Sequence, residues 1–180
     1  MSLQNRVLPN GEIVAESWRG LLMGNRGGKI HDPETRMLTK RRWASRRWIS
    51  CVTEFKNRQR VVMGDSYTEL FFTDEAAALA SGHRPCFECR RNAANSFADL
   101  WRDVFALSHS RIADAMDKQL QVERIGEKET ITPDEIGTLP DGAMISHGNL
   151  FYALGKGKCW QWSGQGYKAA NQPNKPVKLL

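Results

Sequence analysis

Phe71-Phe72-Thr73-Asp74-Glu75-Ala76-Ala77-Ala78-Leu79-Ala80-Ser81-Gly82-His83-Arg84-Pro85-Cys86-Phe87-Glu88-Cys89-Arg90 is the stretch from which the rest of the chain is read. Its two leading aromatic residues close a run, Tyr67 to Phe72, that has strand composition. Thr73-Asp74 can cap a short helix over Glu75 to Ala80, with an acid in the first turn where the helix dipole favours it. Ser81-Gly82 stops that helix, because Gly adopts the left-handed conformation after a helix end without steric cost. Pro85 leads into Cys86-Phe87-Glu88-Cys89. At Cys-x-x-Cys spacing the backbone turns back on itself, so two thiolates can grip one ion.

One such pair is half of a tetrahedral zinc site. The other donors to draw on are Cys51 and Cys159, with His31, His83, His109 and His147. The pair could also be a redox dithiol, two unliganded thiols or one reactive thiol. The redox reading lacks the strand-then-helix α/β pattern that usually carries it. His83, three residues before Cys86, reads as packing or surface, and Cys159 as a strand cysteine. His109 and His147 lie in polar surroundings. His31 follows a Gly-rich run and stands as either a ligand or a loop histidine.

The chain has 180 residues, enough to bury a core without disulfides, and 41% of them are apolar. No apolar run is long enough to span a bilayer, and Met1 to Asn10 lacks the apolar stretch of a secretory signal. The expected compartment is the cytoplasm, where cysteines stay reduced and serve as ligands, nucleophiles or filler. The net charge is +6. It is concentrated: between Arg36 and Arg60 nine Lys and Arg stand against a single acid, Glu54. Lys40, Arg41, Arg42, Arg46 and Arg47, interleaved with Trp43 and Trp48, are the candidate contacts to a polyanion, DNA first. A solvated face is the alternative, and Trp48 reads as core. Tyr67, Glu69 and Asp74 show no spacing that marks an acid–base pair, and no nucleophile elbow is present.

Outward from the knuckle, Trp48 to Phe55 and Arg60 to Met63 read as a hairpin turned at Lys56-Asn57-Arg58-Gln59. Residues 1–20 read as a polar lead-in with a short strand near Glu12 to Ala15. Gly24-Asn25-Arg26-Gly27-Gly28 reads as a loop without phosphate-loop spacing. Ala93 to Leu107 has helical spacing, with Phe97, Leu100, Trp101, Val104 and Phe105 on one face. A second helix follows Ser110, with Ile112, Met116 and Leu120 at four-residue steps. Gly126 to Pro140 reads as a polar connector. Ala143 to Ile145, Leu150 to Leu154 and Cys159 to Trp162 read as a meander, and the segment after Gly166 as extended or mobile. The expected class is α+β: a small antiparallel sheet, a zinc knuckle, a helical segment and a C-terminal meander. The expected organisation is a zinc-site region over 1–125 and a β-rich extension over 126–180, joined in one compact domain.

The quoted stretch resembles the metal-binding domain of the Ada family of DNA-repair proteins. That family shows a strand ending in aromatic residues, a short Ala-rich helix, then Gly-aromatic-Arg-Pro-Cys-x-x-Cys. Gly24-Asn25, followed by Lys29-Ile30-His31, is similar to the opening strand of small Ada-like modules, so the resemblance covers about residues 24–91. It implies zinc, with a four-cysteine site completed by an earlier Cys-x-x-x-Cys, one thiolate of which accepts a methyl group from a DNA phosphotriester. This chain has only Cys51 upstream. The expected site is therefore one closed, tetrahedral Zn²⁺ on Cys86, Cys89, Cys51 and His31, with no position for hydrolytic water. The expected function is zinc-stabilised nucleic-acid binding. Alkyl acceptance by Cys51 and protein interaction are the alternatives.

Overall fold

The computed structural model describes residues 2–105 and 112–180, and builds two sheets one after the other along the chain. The first contains β1 (Arg6–Val7), β2 (Ile13–Val14), β3 (Leu22–Arg26), β4 (Trp48–Val52), β5 (Leu70–Phe72) and β6 (Arg84–Pro85), ordered β2-β1-β5-β3-β4-β6. Helix α1 (Glu75–Ala80) links β5 to β6. Helices α2 (Arg91–Phe105) and α3 (Ile112–Ile125) follow. The second sheet contains β7 (Thr130–Ile131), β8 (Met144–His147), β9 (Leu150–Gly155), β10 (Lys158–Ser163), β11 (Gly166–Ala170) and β12 (Val177–Leu179), with the short helix α4 (Pro133–Ile136) after β7. Its order is β11-β10-β9-β8-β12-β7. The α+β class expected from the sequence is the class observed, with the C-terminal meander running antiparallel through β8, β9, β10 and β11.

Strand β3 is the centre of the first sheet, antiparallel to β4 on one side and β5 on the other. Gly24 sits in the middle of it. A Cβ there would lie 2.0 Å from the Ile49 carbonyl oxygen and 2.9 Å from the Phe72 ring. The glycine thus serves close strand approach, not a loop, and the turn begins only at Gly27. This corrects the loop reading of 24–28. The expected hairpin is also corrected. Residues 60–63 form no strand, because both edges of β4 are taken, by β3 and by β6. The turn at Lys56 and Asn57 is present, both at positive φ, but the chain leaves it in irregular form.

Helix α1 forms as its sequence dictates. Asp74 Oδ1 accepts from the Ala77 amide at 2.8 Å, and Gly82 takes a φ of +83° past the end. One face of α1 presents Ala78 to Val7, Leu70 and Phe72. The other presents Ala77 to Met144, Phe151 and Trp162 of the second sheet. Trp162 Nε1 donates to Thr73 Oγ1 at 2.9 Å, and Tyr167 Oη donates to Asp74 Oδ2 at 2.8 Å. The helix cap is therefore also where the C-terminal sheet is pinned.

The remaining expectations divide. The short strand expected near Glu12 to Ala15 is β2, but β1, with Val7 fully buried, shows that the first twenty residues are not a polar lead-in. The 126–140 connector holds β7 and α4, and the chain after Gly166 supplies β11 and β12, with irregular structure between them. On α2 the small residues Ala94 and Ala98 are buried, while Leu100 and Val104 face solvent, so the apolar face inferred for this helix is displaced. The buried Ile112, Met116 and Leu120 of α3 fall where their spacing placed them. Ala106, Leu107 and His109 lie outside the described residues.

His83 and Trp48 belong to the core. His83 is fully buried between Trp48 and Phe72, with ring centroids 5.1 and 4.7 Å away. Arg26 Nε donates to its Nε2 at 3.4 Å, and its Nδ1 lies 2.9 Å from Ser81 Oγ, which itself donates to the Ala78 carbonyl. A neutral ring protonated at Nδ1 satisfies both contacts. Burial first, then the charges of Arg26 and Arg124, hold its pKa well below the ordinary histidine range. The unfolded chain takes up that proton near pH 6.5, whereas the fold does not. The stabilisation is thus present above about pH 6.5 and is lost as pH falls. Urea unfolding at about pH 7.5 and about pH 5.5 should show the native chain losing up to about 1.4 kcal/mol per pH unit more than His83→Gln. Equal losses would refute a neutral buried histidine.

Candidate metal centre

Strand register brings the thiols together. Met23 pairs with Phe71 on one side and Cys51 on the other, so Phe71, Met23 and Cys51 form one row across β5, β3 and β4. β6 runs parallel to β4 with Ser50 opposite Pro85, and the Cys86 amide donates to the Ser50 carbonyl at 3.0 Å. That bond lands the first knuckle cysteine beside Cys51. The knuckle then turns: the Glu88 amide lies 3.4 Å from Cys86 Sγ, and the Arg90 amide donates to the Cys86 carbonyl at 3.0 Å as the chain enters α2.

Two arginines hold the knuckle in place. Arg84 donates from Nε and Nη2 to the two carboxylate oxygens of Asp117 on α3, each at 2.8 Å, with both side chains almost wholly buried. Arg90 donates to Ser50 Oγ at 2.8 Å and pairs with Glu75 at the start of α1. The thiols are thus fixed to β4, α1 and α3 at once.

The sulfurs of Cys51, Cys86 and Cys89 all lie within 4.8 Å of one another. Thiolates on one tetrahedral zinc at about 2.3 Å stand about 3.8 Å apart, so small side-chain adjustments close this set on an ion. The donor chemistry fits too. Three soft sulfurs suit zinc and disfavour calcium or magnesium. Hydrogen bonding from Cys51 draws the Cys86 pKa down to about 5, while Cys51, which shares its proton with Cys86, is pushed up. Burial first raises Cys89. A cation displacing the protons would bind all three as thiolates, since a coordinating thiol gives up its proton.

His31 does not join this set. Its Nδ1 lies 2.6 Å from Thr68 Oγ1 and its Nε2 2.8 Å from the Gly64 carbonyl, so both ring nitrogens are engaged in a separate buried network. The assignment of His31 as fourth ligand is corrected accordingly. Among the described residues no other His, Cys, Asp or Glu joins the three thiols. Where the sequence reading expected four ligands, the set brought together among the described residues is these three thiols. Cys159 is a core residue of the second sheet, and His147 lies beside the Pro176 carbonyl. The position four residues after Cys51, where a Cys-x-x-x-Cys would end, is Phe55.

The three thiols are among the residues that line a cleft of about 410 Å³. Met23, Ile49 and Phe71 are among its apolar lining residues, and Phe55, Arg58, Arg60 and Tyr67 line it too. Glu69 also lines it, at 2% exposure. Sequence spacing marked none of Glu69, Arg58 or Asn25 as site residues. The usable signal was strand alternation, which puts residues 69 and 71 on one face.

Lys40, Arg41, Arg42, Arg46 and Arg47 are all exposed, on a segment without regular structure that ends where β4 begins. Arg47 approaches Asp114 at 3.6 Å, a surface contact of little energy. Beneath them Arg26 is buried against the Trp48 ring, and burial, then Arg42 and Arg124, lowers its pKa to about 9. The strand end is thus a concentration of positive charge.

The fold and site define an α+β protein with three cysteines placed to hold a metal ion. Comparison with protein-family models, with characterised proteins and with solved structures finds no match in any of the three.

Proposed function

We propose that this chain is an Ada-like zinc protein that binds nucleic acid, DNA foremost, along its basic face. The observation that carries the reading is the convergence of Cys51, Cys86 and Cys89 in a cleft that Arg58 and Arg60 also line. Zinc on the three thiolates stabilises the knuckle, since an ion that binds only the folded chain adds its binding energy to folding. Lys40, Arg41, Arg42, Arg46 and Arg47 then supply phosphate contacts, which release counterions and carry no sequence preference. The test is DNA affinity against salt. Replacing Arg41, Arg42, Arg46 and Arg47 with Ala should weaken binding of every sequence alike and reduce the slope of log K against log salt by up to about 3.6 for four lost contacts. Folded native chain that fails to bind DNA at low salt would end this reading.

A second reading rests on Cys51, which is partly exposed and lines the cleft. Zinc keeps a coordinating thiol deprotonated at neutral pH, which supplies the nucleophile. The Cys51 sulfur would then bond to the methyl carbon of a phosphotriester while the carbon–oxygen bond breaks, leaving a phosphodiester anion. A methyl group's mass gained on Cys51 after incubation with methyl-phosphotriester DNA selects this reading. Unmodified Cys51 in zinc-loaded, DNA-bound protein removes it.

A further inference from the structure

The cleft has features that metal binding does not use. Glu69 precedes β5 and lies two residues before Phe71, so strand alternation carries its side chain to the cleft face, one step along from the row that contains Cys51. Its carboxylate is buried. Oε2 accepts from the Met63 amide at 2.7 Å and Oε1 from Ser66 Oγ at 3.4 Å. Among the described residues no Lys or Arg forms an ion pair with it. A buried carboxylate without a countercharge is costly, and spare acceptor capacity in a cleft calls for a donor from outside.

Asn25 lines the same cleft, in the β3 row opposite Ile49. Its Oδ1 accepts from the Gly27 amide at 2.8 Å, so the amide offers a ligand its N–H donors. A fixed donor next to a fixed acceptor is the complement of a nucleobase edge, where a ring nitrogen or carbonyl adjoins an amino group. Two aromatic–arginine pairs line the cleft. Arg58 lies over the Phe55 ring at 5.4 Å but its guanidinium is paired with Glu88 at 2.6 Å, whereas Arg60, over the Tyr67 ring at 4.9 Å, forms no ion pair among the described residues. Aromatic rings that stack a base beside cations that hold its phosphate are the usual elements of single-strand recognition. A cleft of about 410 Å³ falls at the small end of ligand sites, suited to one nucleotide and too small for a duplex.

We propose that this cleft receives one unpaired, amino-bearing nucleobase, adenine, cytosine or guanine, with Glu69 accepting from its amino group, Asn25 donating to the adjoining acceptor, and Arg60 holding the attached phosphate. This rests on the nucleic-acid reading above and makes it more specific: the basic face holds the backbone while the cleft takes a base from a single strand or a disrupted duplex. A free nucleotide presents the same chemistry.

The test uses the full zinc-loaded chain and fluorescence anisotropy with three probes: oligodeoxycytidine, an abasic strand of the same length, and cytidine monophosphate in competition. The native chain should bind oligodeoxycytidine at least about tenfold more tightly than the abasic strand, the scale of one charge-assisted hydrogen bond. Glu69→Gln, which keeps the shape but turns half the acceptor into a donor, should remove that difference and leave abasic affinity unchanged. Tyr67→Ala, at a half-buried residue that lines the cleft, should reduce the same difference without relying on a buried substitution. Competition by the monophosphate, lost in Glu69→Gln, would extend the site to free nucleotides. Equal affinity of the native chain for the base-bearing and abasic strands overturns the cleft assignment while leaving backbone binding intact. Binding of neither strand overturns both.

Discussion

Replacing Cys89 with serine is expected to leave the purified protein without stoichiometric zinc and to lower its stability by about 4 kcal/mol. That figure follows from mass action: an ion present at about a thousandfold its dissociation constant, and bound only by the folded chain, contributes about that much. The loss is local in origin. Cys86 and Cys89 share a knuckle hung from β4 by the Cys86–Ser50 backbone bond, so losing the ion frees the turn between β6 and α2. Cys159→Ser is the control. That cysteine is buried in the second sheet with Ile131, Ile145 and Val177, so its variant should lose packing energy and keep the full complement of zinc. Zinc content and urea unfolding of the two variants separate the cases. A Cys89→Ser protein with native zinc content would contradict the site.

The second large effect is expected at Asp117. Asp117→Ala removes both acceptors from the Arg84 guanidinium, whose side chain is only 6% exposed. An unpaired buried charge costs about 3–5 kcal/mol, far above the about 0–1 kcal/mol of an exposed pair such as Arg102 with Asp99. Arg84 stands two residues before Cys86 and its guanidinium lies 5.4 Å from the Phe87 ring centroid, so the same change should disturb the knuckle. Denaturant unfolding of Asp117→Ala against Asp99→Ala checks the ratio, and comparable losses would show that the Arg84 pair is not buried in solution.

What the sequence revealed was local. The Asp74 cap, the stop at Gly82 and the knuckle involve residues within a few positions of each other, so their chemistry is visible in the order of residues. Cys51 was reached only through the family resemblance, and the β4–β6 register then provides the physical reason for its place. Most of the errors concern distant partners, the exception being α4, whose Thr132–Glu135 capping contacts are local. Residues 60–63 have the composition of a strand, but β3 and β6 occupy both edges of β4. Gly24 looks like loop composition until Ile49 is known to lie against it. His31 looks like a free donor until Thr68 and Gly64, more than thirty positions away, are seen to engage both its nitrogens. Glu69 gave no signal by spacing, because a carboxylate gains significance from burial and from the cleft it faces. The displaced face of α2 has the same origin: Ala94 and Ala98 are buried because their small side chains allow close approach, which a count of large apolar residues misses.

The central claim is a zinc ion held by Cys51, Cys86 and Cys89 without His31. Zinc-edge X-ray absorption on the purified full chain, referenced to protein concentration, tests it most directly. One zinc per chain with three sulfur neighbours at about 2.3 Å and one oxygen at about 2.0 Å is the predicted result. A protein free of zinc, a four-sulfur shell or the scattering signature of a coordinated imidazole would contradict it.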